Sequence, residues 1–189
     1  HAVTAKLGEA DVIHPEGAAH ADPHVWGDAQ LWAKCLEPVV EGLSRVLPEK
    51  AGIFAQRGLQ WRASTLALHD WAKAEAAKIP AERRVLITSH DAFNYFGRAY
   101  GFQVVGVQGI STVSEAGLAD VAKTVDFIKA RQVKAIFVES SVPHATIERI
   151  AKDSGAKIGG ELFSDALGAG QTYEQMLRFN VSTIVEALK

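Results

Sequence analysis

The second half of the chain alternates short apolar segments with amphipathic ones, and this alternation constrains the fold more than any other feature. Segments with the length and apolar content of buried strands lie at 85–88, 103–107, 135–138 and 157–162. Segments of helical periodicity follow them, at 92–100, 114–131, 145–153 and 172–188. Short apolar strands joined by helical crossovers are typical of parallel sheets. The sequence therefore predicts an α/β fold with a four-stranded parallel sheet and helices on both faces.

Two helices are predicted ahead of this region. The first covers residues 29–46, with Asp28 as its N-cap and Pro38 as a kink or a restart. The second runs from Pro48 to Ile79 and, at 1.5 Å per residue, would be about 45–50 Å long. A helix of this length indicates a rigid strut that joins two bodies, and a long helix lying across one sheet is the alternative.

Composition and charge exclude several classes of protein. The formal net charge is −2, which gives no basic footprint for nucleic acid, so we expect no nucleic-acid partner. No apolar run approaches the roughly 18 residues that a membrane span needs. Cys35 is the only cysteine, which excludes a disulfide within the chain and a cysteine-rich zinc site.

Polar side chains follow each predicted strand. They are Ser89, His90 and Asp91, then Gln108, then Glu139, Ser140 and Ser141, and finally Ser164 and Asp165. The carboxyl ends of parallel strands meet at one edge of a sheet, so we expect these side chains to share a crevice. Imidazole and carboxylate groups suit zinc, manganese or iron(II), and they also suit acid–base chemistry. Polar strand ends that simply reach solvent are the alternative.

The remaining histidines are concentrated before the first helix. His14, His20 and His24 occur within eleven residues that two prolines interrupt, which indicates a loop. A solvated side chain is the default for His14 and His20. His24 differs because it lies in the stiff segment Asp22-Pro-His-Val-Trp26. We expect His69 and His144 to be exposed.

Three segments resemble the signature segments of one family. They are Asp22-Pro-His-Val-Trp26, Thr88-Ser-His-Asp-Ala-Phe-Asn-Tyr-Phe-Gly-Arg-Ala-Tyr-Gly101 and Leu162-Phe-Ser-Asp-Ala-Leu-Gly168. Together they are similar to the zinc and manganese solute-binding proteins of ABC importers, the cluster A-I (cluster 9) metal receptors. The resemblance covers residues 20–189.

This resemblance implies a fold and a ligand set. Members have two α/β lobes joined by one long rigid helix, with the metal between the lobes. By motif, the metal ligands here would be His24, His90 and Asp165. The family's manganese and iron receptors often have Glu in place of His90, so histidine there points to Zn²⁺, or to a subgroup that takes both Zn²⁺ and Mn²⁺.

The resemblance also implies a domain organisation. Only about twenty residues precede the Asp-Pro-His segment, where the family has a complete first lobe with a further histidine ligand. We therefore expect a truncated chain: a remnant of the amino-terminal lobe with a metal-site loop at 1–27, a helical linker at 28–80, and a carboxyl-terminal α/β lobe at 81–189. The fourth ligand is left open between His14, His20, water and a histidine of the missing lobe.

The expected function is a receptor that binds a divalent metal and delivers it to an ABC permease in the membrane, without catalysis. Its expected location is the periplasm, or the cell exterior with a membrane anchor. A homodimer through surface that the missing lobe would cover is an expected further partner. The alternatives are a metal-dependent hydrolase, with Glu139 activating water at an open coordination position, and a domain that binds a small organic ligand or nucleotide.

Overall fold

The computed structural model describes residues 2–16, 20–110 and 117–189, and the chain divides into two compact units. Unit 1 comprises His1–Trp71, and unit 2 comprises Ala72–Lys189. The three-part organisation inferred from the resemblance stays a prediction.

Unit 1 contains a helix whose bounds agree with the sequence. Helix α1 spans Ala29–Val46 and begins where Asp28 accepts hydrogen bonds from the backbone N–H groups of Gln30 and Leu31. Pro38 lies inside α1, so the predicted restart does not occur. The Cys35 thiol of α1 is buried, and burial raises its pKa to about 11.

Helix α2 is shorter at both ends than the sequence predicts. It spans Ala51–Ala76, and a 3-10 turn at Pro48–Lys50 precedes it. At 1.5 Å per residue its length is about 39 Å. The boundary between the two units follows Trp71, so it lies within α2.

Unit 2 has the predicted α/β fold with four parallel strands. They are β1 (Val85–Thr88), β2 (Gln103–Gly106), β3 (Ala135–Glu139) and β4 (Lys157–Leu162). The strands are hydrogen-bonded as two pairs, β1 with β2 and β3 with β4, rather than as one continuous four-stranded ladder. β1 and β3 are neighbours. At their carboxyl ends the backbone N–H of His90 donates to the side chain of Glu139 rather than to a strand carbonyl.

Helices connect and cover these strands. They are α3 (Asn94–Tyr100), α4 (Leu118–Arg131), α5 (Ala145–Ser154) and α6 (Tyr173–Leu188). The Thr172 side chain caps α6 by accepting a hydrogen bond from the backbone N–H of Gln175, whereas the start of the helix predicted at 114–131 lies outside the described residues. Every residue of β1 and β3 is buried, which requires cover on both faces.

The core of unit 2 is built from apolar residues of these strands and helices. Val85 and Ile87 of β1 and Ile136 and Val138 of β3 pack with residues of α4 and α5. On the other face α6 packs closely on β4, where a Cβ added to Gly159 would lie 2.9 Å from the Cβ of Ala187. The core therefore holds the carboxyl ends of the strands at one edge of unit 2.

Within the described residues, no helix combines the length and apolar character needed to cross a membrane.

Candidate metal centre

His90 lies in a corner at the carboxyl end of β1 and is fully buried. The Thr88 hydroxyl donates a hydrogen bond to the carbonyl of His90 at 3.0 Å. The backbone N–H of Gln108 donates to the carbonyl of Ser89 at 2.9 Å, which ties the corner to the segment after β2. The backbone on both sides of His90 is therefore held before any ligand binds.

Gly106, the last residue of β2, lies against this corner. A Cβ at Gly106 would lie 2.7 Å from the carbonyl carbon of His90 and 2.7 Å from the backbone nitrogen of Asp91. Both contacts are with backbone, so a change of side-chain rotamer does not relieve them.

We therefore expect Gly106→Ala to lower the free energy of unfolding by about 1–3 kcal/mol, the usual effect of overpacking. Chemical unfolding measures this loss. Gly109→Ala is the matched control, because a Cβ there meets nothing within 4 Å. Equal unfolding midpoints for the two variants would contradict the close packing of the corner.

Glu139, at the end of β3, is fully buried and contacts His90 through both carboxylate oxygens. Its Oε1 accepts the backbone N–H of His90 at 2.8 Å. Its Oε2 lies 2.7 Å from Nδ1 of the same residue. The sequence prediction that Glu139 shares an edge with His90 is confirmed, with Glu139 turned toward the imidazole ring.

Asp165 approaches the other nitrogen of the ring. Its Oδ2 lies 3.4 Å from Nε2 of His90, and its side chain is 34% exposed. The loop that carries it is held by a hydrogen bond between the hydroxyls of Ser141 and Ser164 at 2.9 Å. Unit 2 thus brings together an imidazole and a carboxylate that reaches solvent, two donor types that suit a divalent metal ion.

Asn180 of α6 fixes the chain just before Asp165. Its Oδ1 accepts the backbone N–H of Phe163 at 2.9 Å, and its Nδ2 donates to the Phe163 carbonyl at 2.7 Å. Asn180 is not among the residues that the sequence predicts for the site. A polar side chain at an apolar position of an amphipathic helix was the available signal.

The charge on His90 follows from these contacts. Burial by itself lowers the pKa of His90, but the contacts with Asp165 and Glu139 outweigh burial and raise this pKa to about 9. At neutral pH the imidazole therefore carries two protons, and an ion that bound the ring would have to displace one of them.

Unit 1 holds His24 in a similar way. The Oδ1 atom of Asp22 accepts the backbone N–H of His24 at 2.9 Å and lies 2.7 Å from its Nδ1. Both side chains are buried. The ring of Trp26 packs edge-on against the imidazole, with 5.4 Å between ring centroids. The Asp-Pro-His-Val-Trp segment is therefore rigid, as its sequence indicates.

The expected exposure of His69 is wrong. It is 8% exposed, and its Nδ1 lies 3.5 Å from Oδ1 of Asp28, the cap of α1. The sequence pattern placed His69 away from the apolar stripe of its helix, but a carboxylate contributed by a distant residue makes a buried position favourable there.

The other histidines lie nearer the surface. His14 and His20 are exposed, and Nε2 of His14 lies 3.0 Å from Oε1 of Glu9. His144 is half-buried, and its Nε2 lies 3.4 Å from Oε1 of Glu161. The structure thus places His90 and Asp165 together in unit 2 and His24 with Asp22 in unit 1.

Two curated proteins are similar to this chain over most of its length. The zinc-binding protein TroA of Treponema pallidum is 46% identical over 179 residues, and the match covers 90% of this chain. The manganese-binding lipoprotein MntA of Bacillus subtilis is 43% identical over 177 residues, or 89% of this chain. The chain spans 58% of the length of each of these relatives.

A solved structure and a family profile agree with these relatives. The structure of the periplasmic zinc-binding protein TroA of Treponema pallidum matches with a TM-score of 0.95 and 43% identity, covering 100% of this chain and 71% of that one. The profile of the family described as "ZnuA: Zinc-uptake complex component A periplasmic" matches residues 2–187. A match of this extent, on a chain that pairs a buried histidine with carboxylates in each unit, shows that the protein belongs to the ZnuA family of zinc-uptake components.

Proposed function

We propose that this chain binds a divalent metal ion through His24, His90 and Asp165 and serves as a receptor that delivers the ion to an ABC permease in the membrane. The observation that carries this proposal is the arrangement around His90, whose Nδ1 faces a buried carboxylate and whose Nε2 faces an exposed one. A histidine prepared in this way is typical of metal ligands.

Zn²⁺ is the first candidate, and Mn²⁺ is the second. Two imidazoles and one carboxylate suit zinc, whereas manganese prefers sites with more oxygen ligands. The relatives are named for both metals, TroA for zinc and MntA for manganese. A receptor of this kind acts outside the cytoplasm, in the periplasm or at the cell surface.

The hydrolase alternative has no support in the structure or in the relatives. It required Glu139 to activate a water molecule, but both oxygens of Glu139 face His90. The relatives are named for metal binding rather than for catalysis. The homodimer stays a prediction. Unit 1 has exposed apolar side chains at which such a contact can be tested, those of Val46, Ile53 and Leu59.

The test is a calorimetric titration of the metal-free protein with zinc and with manganese, together with elemental analysis of the loaded protein. We expect one zinc ion per chain, and a loss of affinity in His24→Ala that exceeds the ~10–100-fold effect of removing an outer partner of a ligand. Failure of the wild type to bind either metal would overturn the proposal.

The control is the double variant His14→Ala/His20→Ala. Both histidines are exposed, so their removal leaves the core intact. If the zinc affinity of this variant is unchanged, neither histidine is a metal ligand. A loss comparable to that in His24→Ala identifies one of them as a further ligand.

A further inference from the structure

We infer that Glu139 is a positioning residue, which holds the His90 ring with its proton on Nδ1 so that Nε2 is presented to the metal ion. This inference rests on the proposed function and specifies how the chain prepares one of its ligands. Glu139 itself is neither a ligand nor a base in this arrangement.

Glu139 contacts both the backbone and the ring of His90. Glu139 lies 49 positions from His90, yet its two oxygens bind the backbone N–H at 2.8 Å and approach the ring nitrogen Nδ1 at 2.7 Å. Contact with backbone and ring together fixes the position and the rotation of the imidazole. A fully buried carboxylate needs such partners, because a buried charge without them is costly.

The contact with Glu139 also favours one of the two ring nitrogens of His90 as the site of the proton. Oε2 of Glu139 lies 2.7 Å from Nδ1, where two lone pairs would repel each other, and a carboxylate donates no hydrogen bond, so the ring form with its proton on Nδ1 is favoured. A neutral imidazole has one protonated nitrogen, and the lone pair is then on Nε2. This is the atom that points toward Asp165, the proposed second ligand of unit 2.

Unit 1 contains a similar arrangement, built from different residues. One oxygen of Asp22 accepts the backbone N–H of His24 at 2.9 Å and lies 2.7 Å from its Nδ1. Here the carboxylate is two residues away in sequence, whereas Glu139 comes from a different strand. Both proposed histidine ligands are therefore oriented through Nδ1, although the local backbone differs.

Glu139→Gln separates positioning from packing, because the side chains have nearly the same shape. Glutamine has one acceptor oxygen and one NH₂ donor, while His90 presents two donors to this position. If the oxygen keeps the backbone N–H, the NH₂ group faces Nδ1 and favours the ring form with its proton on Nε2. That proton occupies the site of the metal.

The experiment is nitrogen-15 NMR of protein labelled at histidine, zinc-free at pH 10 and zinc-loaded at pH 7. We expect the wild type to carry the His90 proton on Nδ1 in both states. We expect zinc-free Glu139→Gln to move it to Nε2 and to lose about 10–100-fold in zinc affinity. Glu161→Gln, at an exposed glutamate of the same unit, is the matched control and should change neither readout.

The outcomes are distinct. A wild-type protein with the His90 proton on Nε2 overturns the inference. Because this measurement needs no variant, it can be made even if Glu139→Gln does not fold. Unchanged proton position and affinity in a folded Glu139→Gln also overturn it. A wild type with the proton on Nδ1 that binds no zinc overturns the proposed function and leaves the orienting role of Glu139 in place.

Discussion

Replacing His90 by alanine is expected to weaken zinc binding by at least about 100-fold, more than the loss of an outer partner usually costs. The substitution removes a proposed ligand that is fully buried and already oriented by Glu139. Titration with zinc, in competition with a chelator of known affinity, measures the change.

The same substitution also affects folding, because it leaves Glu139 buried without its partner. Breaking a buried charged pair costs about 3–5 kcal/mol. Asp165→Asn therefore accompanies it, since Asp165 reaches solvent and its loss spares the core. The ligand assignment fails if folded His90→Ala and Asp165→Asn both bind zinc as tightly as the wild type.

Zinc affinity is expected to rise with pH by about tenfold per pH unit between pH 6 and 8, since binding displaces one proton from His90. The contacts with Asp165 and Glu139, acting against burial, raise the pKa of His90 to about 9, so the ring is protonated throughout this range. Calorimetry in buffers of different ionisation enthalpy counts the protons released. A pH-independent affinity would contradict the expected proton release.

The stability of the metal-free protein should respond to pH in the opposite direction. The pKa of His90 is about 9 in the folded state, above the value near 6.5 of an unfolded chain. Protonation of His90 therefore stabilises the fold fully below pH 6.5, and this contribution is lost as the pH rises to about 9. We expect the melting temperature of the metal-free protein to fall as the pH rises over this window. The increase in melting temperature that zinc binding produces should become larger over the same window.

Much of the fold was predictable because its signals are local. The start of α1 follows from the cap at Asp28, and the bounds of β1 follow from its short apolar run. The corner at His90 follows from a buried strand that ends in polar residues. Each of these signals depends on neighbours within one turn or one strand, so one sequence is enough to find it.

The candidate site was predictable only in part. His90 and Asp165 were identified as members of one edge, and the structure confirms that they are adjacent. The orientation of Glu139 toward Nδ1 was not predictable, because it depends on how β3 lies beside β1 rather than on residues near Glu139. Spacing along the sequence identifies which groups reach an edge and leaves their hydrogen bonds undetermined.

By itself, the sequence determined the order of strands and helices, the capped and proline-stiffened segments, and the residue types at the edge of unit 2. Only the tertiary structure decided the pairing of strands into two ladders, the burial of His69, and the anchoring of the Asp165 loop by Asn180. The physical reason is distance along the chain. Propensity and capping act between neighbours, whereas the partners that make a buried polar group stable come from elements that only folding brings together.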